Sequence, residues 1–222
     1  MSSDTLIPRE LSRRELLAGG ASFLALAGCS QPKSHTDQVT QPGVYNTLKD
    51  FQFMNQNGEI ISGASLRELV GNHPFTISFG FQGCSNYCPF TSQVFGDIAG
   101  ALAQSGRTPL KHIAINTNPG LAGLDAEMRD GYLRSLLTSP NLNPDNIITL
   151  YPVNAQGALD NDTARDISIA ITNVTREGHA NHSEVIRLYD AQGKALAEGT
   201  GLKREETIAA FTQALSGQSR NR

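Results

Sequence analysis

The chain has 222 residues, 39% of them hydrophobic and 18% charged, with a formal net charge of −3. That length accommodates one domain with a sizeable core plus a leader or tail. The slightly acidic balance argues against nucleic-acid binding, which calls for a basic surface, and no apolar run is long enough for a permanent membrane span.

The leader reads first. Ser12-Arg13-Arg14-Glu15-Leu16-Leu17 is a twin-arginine pattern, followed by a small and apolar stretch over 18–28 that ends in Leu26-Ala27-Gly28-Cys29. Arginine pair, apolar stretch and lipobox in that order predict a bacterial lipoprotein signal peptide over 1–28, exported by the twin-arginine route. A buried helix or an uncleaved anchor is the alternative. Cleavage before Cys29 leaves that cysteine as the lipid-carrying N-terminus, on the periplasmic face of a membrane. Ser30 behind it favours an outer membrane where one exists. Residues 29–46 are polar, with Pro32 and Pro42, and are expected to form a flexible tether to a domain over 47–222.

The domain opens with Phe51-Gln52-Phe53, Asn57-Gly58 and Ile60-Ile61, an expected hairpin because Asn-Gly sits between apolar runs. A short helical turn is expected over 65–70. His73-Pro74 precedes an apolar strand over 75–81. Val94, Phe95, Ile98, Ala99 and Leu102 recur at helical spacing, predicting a helix over 90–104. A second central strand follows over 110–115, then the loop Asn116-Thr117-Asn118-Pro119. Asp125 is a plausible N-cap for an amphipathic helix carrying Met128, Tyr132, Leu133, Leu136 and Leu137. A third strand spans 147–151 and a helix spans 160–169. A polar loop over 174–181 leads to a strand over 185–189, the turn Asp190-Ala191-Gln192-Gly193, a short strand near 195–197 and a last helix over 203–215. Strands alternating with helices predict an α/β fold, with a central mixed sheet flanked by helices and an extra N-terminal hairpin.

The chemistry concentrates in Phe79-Gly80-Phe81-Gln82-Gly83-Cys84-Ser85-Asn86-Tyr87-Cys88-Pro89, at the junction of a strand and a helix. With Cys29 spent on lipid, Cys84 and Cys88 are the two remaining thiols, in an oxidising compartment. A bridge between them closes a tiny loop and stabilises little, so reactivity explains the pair better than stability does. Spacing of i and i+4 puts both sulfurs on one face of a helix's first turn, where unpaired N–H groups and the dipole favour thiolate. A cysteine pair just after the first central strand is the thioredoxin-like arrangement, but the motif here is C-x-x-x-C, one residue longer. Thiol–disulfide exchange and soft-metal binding both remain open. No proline follows Pro152 to supply the cis-proline usual before the last hairpin of an oxidoreductase. Asn181-His182-Ser183 stands there instead. Two thiolates and one imidazole suit Cu(I), whereas Cu(II) would want an added oxygen ligand and zinc a fourth donor. A solvated loop histidine is the alternative for His182.

The segment 79–89, together with His182-Ser183 and Val185-Ile186-Arg187-Leu188-Tyr189-Asp190-Ala191-Gln192-Gly193, resembles the Sco/SenC family, membrane-tethered thioredoxin-like copper proteins of cytochrome c oxidase assembly. The hairpin over 51–61 resembles that family's opening, and the likeness runs over 51–215. It implies copper ligation by Cys84, Cys88 and His182. It also implies an apo copper enzyme as partner, such as the copper subunit of cytochrome c oxidase. The chain departs from the pattern at Ser85-Asn86, where Pro-Asp is usual, at Tyr87, where an aliphatic residue is usual, and at Asn116 to Asn118, where acids are usual. Carboxylates replaced by amides weaken the case for a divalent ion and leave Cu(I) or pure thiol chemistry less affected.

Other histidines weigh less. His179 is a possible fourth ligand in a polar loop, His73 reads as structural, His35 lies in the tether and His112 reads as a core or edge residue. Phe79 and Phe81 read as core, while Tyr87 is placed to cover a metal or face a partner. The expected protein is a lipid-anchored copper chaperone. The alternative is a thiol–disulfide reductant using Cys84 and Cys88 as its redox pair.

Overall fold

The computed structural model describes residues 43–81, 88–107, 109–118, 125–172 and 185–218. The expected signal peptide, Cys29 and residues 30–42 of the tether lie outside them. The first described element is a helix that polarity did not suggest, α1 (Val44–Leu48). Its Val44 and Leu48 are buried in the core, so packed chain begins ahead of residue 47, inside the stretch read as tether.

The expected hairpin forms from β1 (Gln52–Asn55) and β2 (Ile60–Ser62), paired antiparallel. The helical turn at 65–70 is a 3-10 turn (Gly63–Ser65) running into α2 (Leu66–Val70). Then come β3 (Phe75–Gly80), α3 (Cys88–Gln104) and β4 (Lys111–Asn116). Next are α4 (Ala126–Leu136) and β5 (Ile147–Val153). Asp125 caps α4 as expected, its carboxylate accepting from Met128 N at 2.8 Å. The chain closes with α5 (Asn161–Thr172), β6 (Val185–Tyr189), β7 (Ala195–Thr200) and α6 (Arg204–Gln218).

The seven strands among the described residues join one sheet in the order β2-β1-β5-β4-β3-β6-β7. The central trio β5-β4-β3 is parallel and the outer pairings are antiparallel. The expected mixed α/β sheet and N-terminal hairpin are therefore present. The strand period of two sorts side chains between two cores. Phe75, Ile77 and Phe79 of β3 and Ile113 and Ile115 of β4 pack with α1, α2 and α5. The other face of the sheet meets α3 and α6 through Ile186, Leu188, Val94, Phe95, Ile98 and Phe211. It meets α4 through Ala114, Tyr132, Leu136, Ile147 and Tyr151. No helix among the described residues is long and apolar enough to cross a membrane.

Candidate metal and thiol centre

The site grows from the carboxyl ends of the parallel strands, where open α/β sheets place ligands. β3 ends at Gly80, and its register partner in β4 is Asn116. Beyond β4 the chain folds back onto Gly80, with Thr117 N donating to Gly80 O at 2.8 Å. Asn118 N donates to Asn116 Oδ1, also at 2.8 Å. Asn116 is fully buried, and its Nδ2 has no hydrogen-bond partner among the described residues.

α3 starts two residues earlier than the apolar spacing suggested, at Cys88 itself. Pro89 fits the second helical position, because first-turn N–H groups have no intrahelical partner to lose. Cys88, Ser92 and Phe95 follow one another at i, i+4 and i+7, and all three are buried. This face lies on the sheet. A methyl group at Gly80 would stand 2.8 Å from Cys88 Sγ and 3.2 Å from the Tyr132 hydroxyl. Only glycine leaves room there, and the sulfur and the phenol converge on the end of β3. Cys88 retains 7% exposure, so its sulfur is tucked under the first turn of the helix.

The outer side of α3 is fixed by α6. Arg204 Nη2 meets Asp97 Oδ2 at 2.5 Å. Gly201 approaches so closely that a Cβ there would lie 2.9 Å from Thr91 N. Phe90 and Leu202 stand exposed on the surface.

Of the expected site residues, Cys88 is the one within the described chain. Cys84, Ser85, Asn86, Tyr87, Pro119, His179 and His182 lie outside the described residues, as do Cys29 and His35. Among the described residues no three His, Cys, Asp or Glu side chains gather as a metal site would require. Cys88 contributes one soft donor at a helix N-terminus, where backbone N–H groups favour negative charge. Phe79 belongs to the core on the opposite face from Cys88, as its strand pattern suggested. His73 is structural in the sense expected, its Nδ1 lying 3.2 Å from Pro109 O.

His112 is a core residue. Its Nδ1 lies 2.8 Å from Thr76 Oγ1 and its Nε2 lies 3.3 Å from Ser78 Oγ. Burial pushes its pKa down to about 3, with hydrogen bonding at Thr76 opposing this only in part. It is a neutral strut and not a ligand. Tyr132 was legible only as one apolar member of a helix stripe. No spacing rule announces that its hydroxyl reaches the end of β3.

No protein-family model and no curated protein matches the chain. Solved structures do. A SCO1/SenC family lipoprotein from Bacillus anthracis shares 16% identity at a TM-score of 0.54, covering 76% of this chain and 94% of that one. BsSco, a member of the Sco family of cytochrome c oxidase assembly proteins with an identified disulfide switch, shares 18% identity at 0.53, covering 75% and 92%. Yeast Sco1 with copper bound shares 17% identity at 0.52, covering 75% and 90%. At these identities the likeness is one of architecture: this chain has the thioredoxin-like fold of the solved Sco proteins.

Proposed function

We propose that the chain is a Sco-type copper protein, a metallation factor held to the membrane outside the cytoplasm by lipid on Cys29. The observation that carries this reading is the seat of Cys88, on the first turn of α3 directly over the end of β3. It occurs in a fold shared with yeast Sco1, whose copper-bound form is solved. Cys84 and Cys88 supply thiolates and His182 supplies an imidazole, a donor set suited to Cu(I). Copper is the cargo. It leaves by ligand exchange, as a thiolate or imidazole of the recipient enters where His182 departs. The recipient is an apo copper enzyme, such as the copper subunit of cytochrome c oxidase.

The test is titration of the reduced full-length chain carrying Cys29→Ser, with Cu(I) against a chromogenic chelator and with Cu(II) by absorbance. One copper per chain is expected, Cys88→Ser should abolish tight uptake, and His182→Ala should weaken Cu(II) binding sharply. If His182→Ala binds both oxidation states like the parent, the third-ligand assignment is wrong.

A second reading is supported by the same cysteine pair and by the disulfide switch described for BsSco. The chain would then reduce a disulfide of a partner copper protein. Cys84 and Cys88 give up two electrons and two protons, one S–S bond forms here and one breaks in the partner. Activity that requires both cysteines and ignores His182 would select this reading over the first.

A further inference from the structure

We propose that Phe90 and Leu202 form an apolar docking patch for the protein that takes copper from this chain. The inference rests on the reading of the chain as a copper donor working through Cys88, and it names the surface that the recipient covers. Phe90 stands two residues beyond Cys88, in the first turn of α3. Leu202 follows Gly201, just past the end of β7. A Cβ on Gly201 would lie 2.9 Å from Thr91 N and 3.2 Å from Phe90 C. The loop after β7 is thus laid against the first turn of α3, and the two residues flank that contact. Phe90 is 45% exposed and Leu202 55%.

Core packing accounts for neither side chain. The inner face of α3 is carried by Cys88, Ser92 and Phe95, all buried. Single apolar residues on a surface need no explanation, but two of the five large ones exposed among the described residues adjoin here. The cations beside them are engaged, Arg204 with Asp97 at 2.5 Å and Lys203 with Glu206 at 3.2 Å. The patch therefore offers apolar area between paired charges. What covers it follows from the position of Cys88, which is tucked under this same turn with 7% exposure. A recipient donor comes against the start of α3 to reach that sulfur. A standard interface covers about 800 Å² on each partner, a disc of roughly 16 Å radius. One helical turn is about 5.4 Å, so a disc centred on the first turn of α3 takes in Phe90 and the adjoining loop. The matching surface is an uncharged, aliphatic or aromatic rim around the recipient's own copper donors. Cu(I) crosses there without gain or loss of electrons, one recipient donor binding as one donor here lets go.

The experiment uses full-length chains carrying Cys29→Ser, with the apo soluble copper domain of the host's cytochrome c oxidase as probe. Phe90→Ala with Leu202→Ala should take up Cu(I) like the parent and release it to a small chelator like the parent. Its transfer to the probe should slow about tenfold, and the Kd of the metal-free reduced chain for the probe should rise about tenfold. Ile60→Ala, an exposed apolar residue on β2 at the opposite edge of the sheet from β7, is the control and should change neither. A double variant as fast and as tight as the parent overturns the patch, and so does equal slowing by Ile60→Ala. Faster transfer by the double variant would mean that the chain's own N-terminal segment covers the patch. Self-association of the parent, lost in the double variant, would mean that a second copy covers it. Either result overturns the assignment to the recipient. Should the double variant fail to fold, Leu202→Ala alone, in a loop, decides by the same direction of change. A parent that takes up no copper removes the proposed function, while the Kd for the probe still judges the patch. A parent that holds copper and does not bind the probe overturns the patch and leaves copper binding standing.

Discussion

The imidazole of His112 lies against the ring of Phe95 with centroids 3.6 Å apart, so the helix that carries Cys88 rests on a buried histidine. Thr76 and Ser78 present a hydroxyl to each ring nitrogen, which satisfies the neutral ring in either tautomer. Burial denies a protonated ring its water, and these contacts supply no counter-charge, hence a pKa of about 3. Above pH 6.5 the folded and unfolded chains are both neutral at this site and it costs nothing. Between 6.5 and about 3 only the unfolded chain takes up the proton. Stability therefore falls as pH falls through that window, by about 1.4 kcal/mol per pH unit from this residue. Urea unfolding at pH 7.0, 6.0 and 5.0 measures the slope. His112→Gln should be less stable at pH 7.0 yet lose less on acidification. Parallel losses in parent and variant would show that His112 is not the proton-linked group.

Arg187 ties together the two elements that residues 173–184 connect. From β6, its Nη1 donates to Ile171 O and its Nη2 to Thr172 O, at the C-terminal end of α5. The last carbonyls of a helix lack intrahelical donors, and a guanidinium fork supplies two at once. Its Nε also meets Glu198 Oε2 at 2.7 Å, but Glu198 is 52% exposed in its side chain. The carbonyl grip should therefore outweigh the ion pair. Arg187→Met is expected to cost about 2 kcal/mol, and Arg187→Lys should recover only part of that. Glu198→Gln should cost well under about 1 kcal/mol. Denaturant midpoints rank the three, and a Glu198→Gln loss equal to that of Arg187→Met would contradict this order of importance.

The element order was legible because the strands and helices keep clean periods, and the turns explain why the hairpins fall where they do. Asn55, Asn154 and Asp190 each stand three residues before a glycine with positive φ, at Gly58, Gly157 and Gly193. In each turn the Asx oxygen accepts from the N–H groups two and four residues on. The Asn57-Gly58 pair thus located the first turn correctly, though Asn55 does the hydrogen bonding. α1 was not legible. Its two buried residues, Val44 and Leu48, are too few to set a period. What holds it is distant in sequence: Val44 N donates to Gly193 O at 2.9 Å and Tyr45 stacks on Phe75 with centroids 5.7 Å apart. Of the candidate site, residue types and spacing singled out Cys88 at the start of a helix. The meeting of Cys88 and Tyr132 over Gly80 comes from the crossing of three separate elements, which no local pattern encodes.

The packing of α1 gives its own test at Gly63. A Cβ at this position would lie 1.9 Å from Leu48 O, a backbone atom, with Leu48 itself fully buried. Gly63 also donates its N–H to Phe51 O at 2.8 Å, which holds it close to the end of α1. No rotamer change relieves a clash with a carbonyl, so α1 or the 3-10 turn must move. Overpacking of this kind costs about 1–3 kcal/mol. Gly217 in α6 is the contrast, because a Cβ there meets nothing within 4 Å. Gly217→Ala should stabilise by roughly 0.5–1 kcal/mol through helix propensity and reduced unfolded-state entropy. Thermal unfolding of the two variants should thus move in opposite directions. A Gly63→Ala variant as stable as the parent would mean that α1 does not rest on this turn.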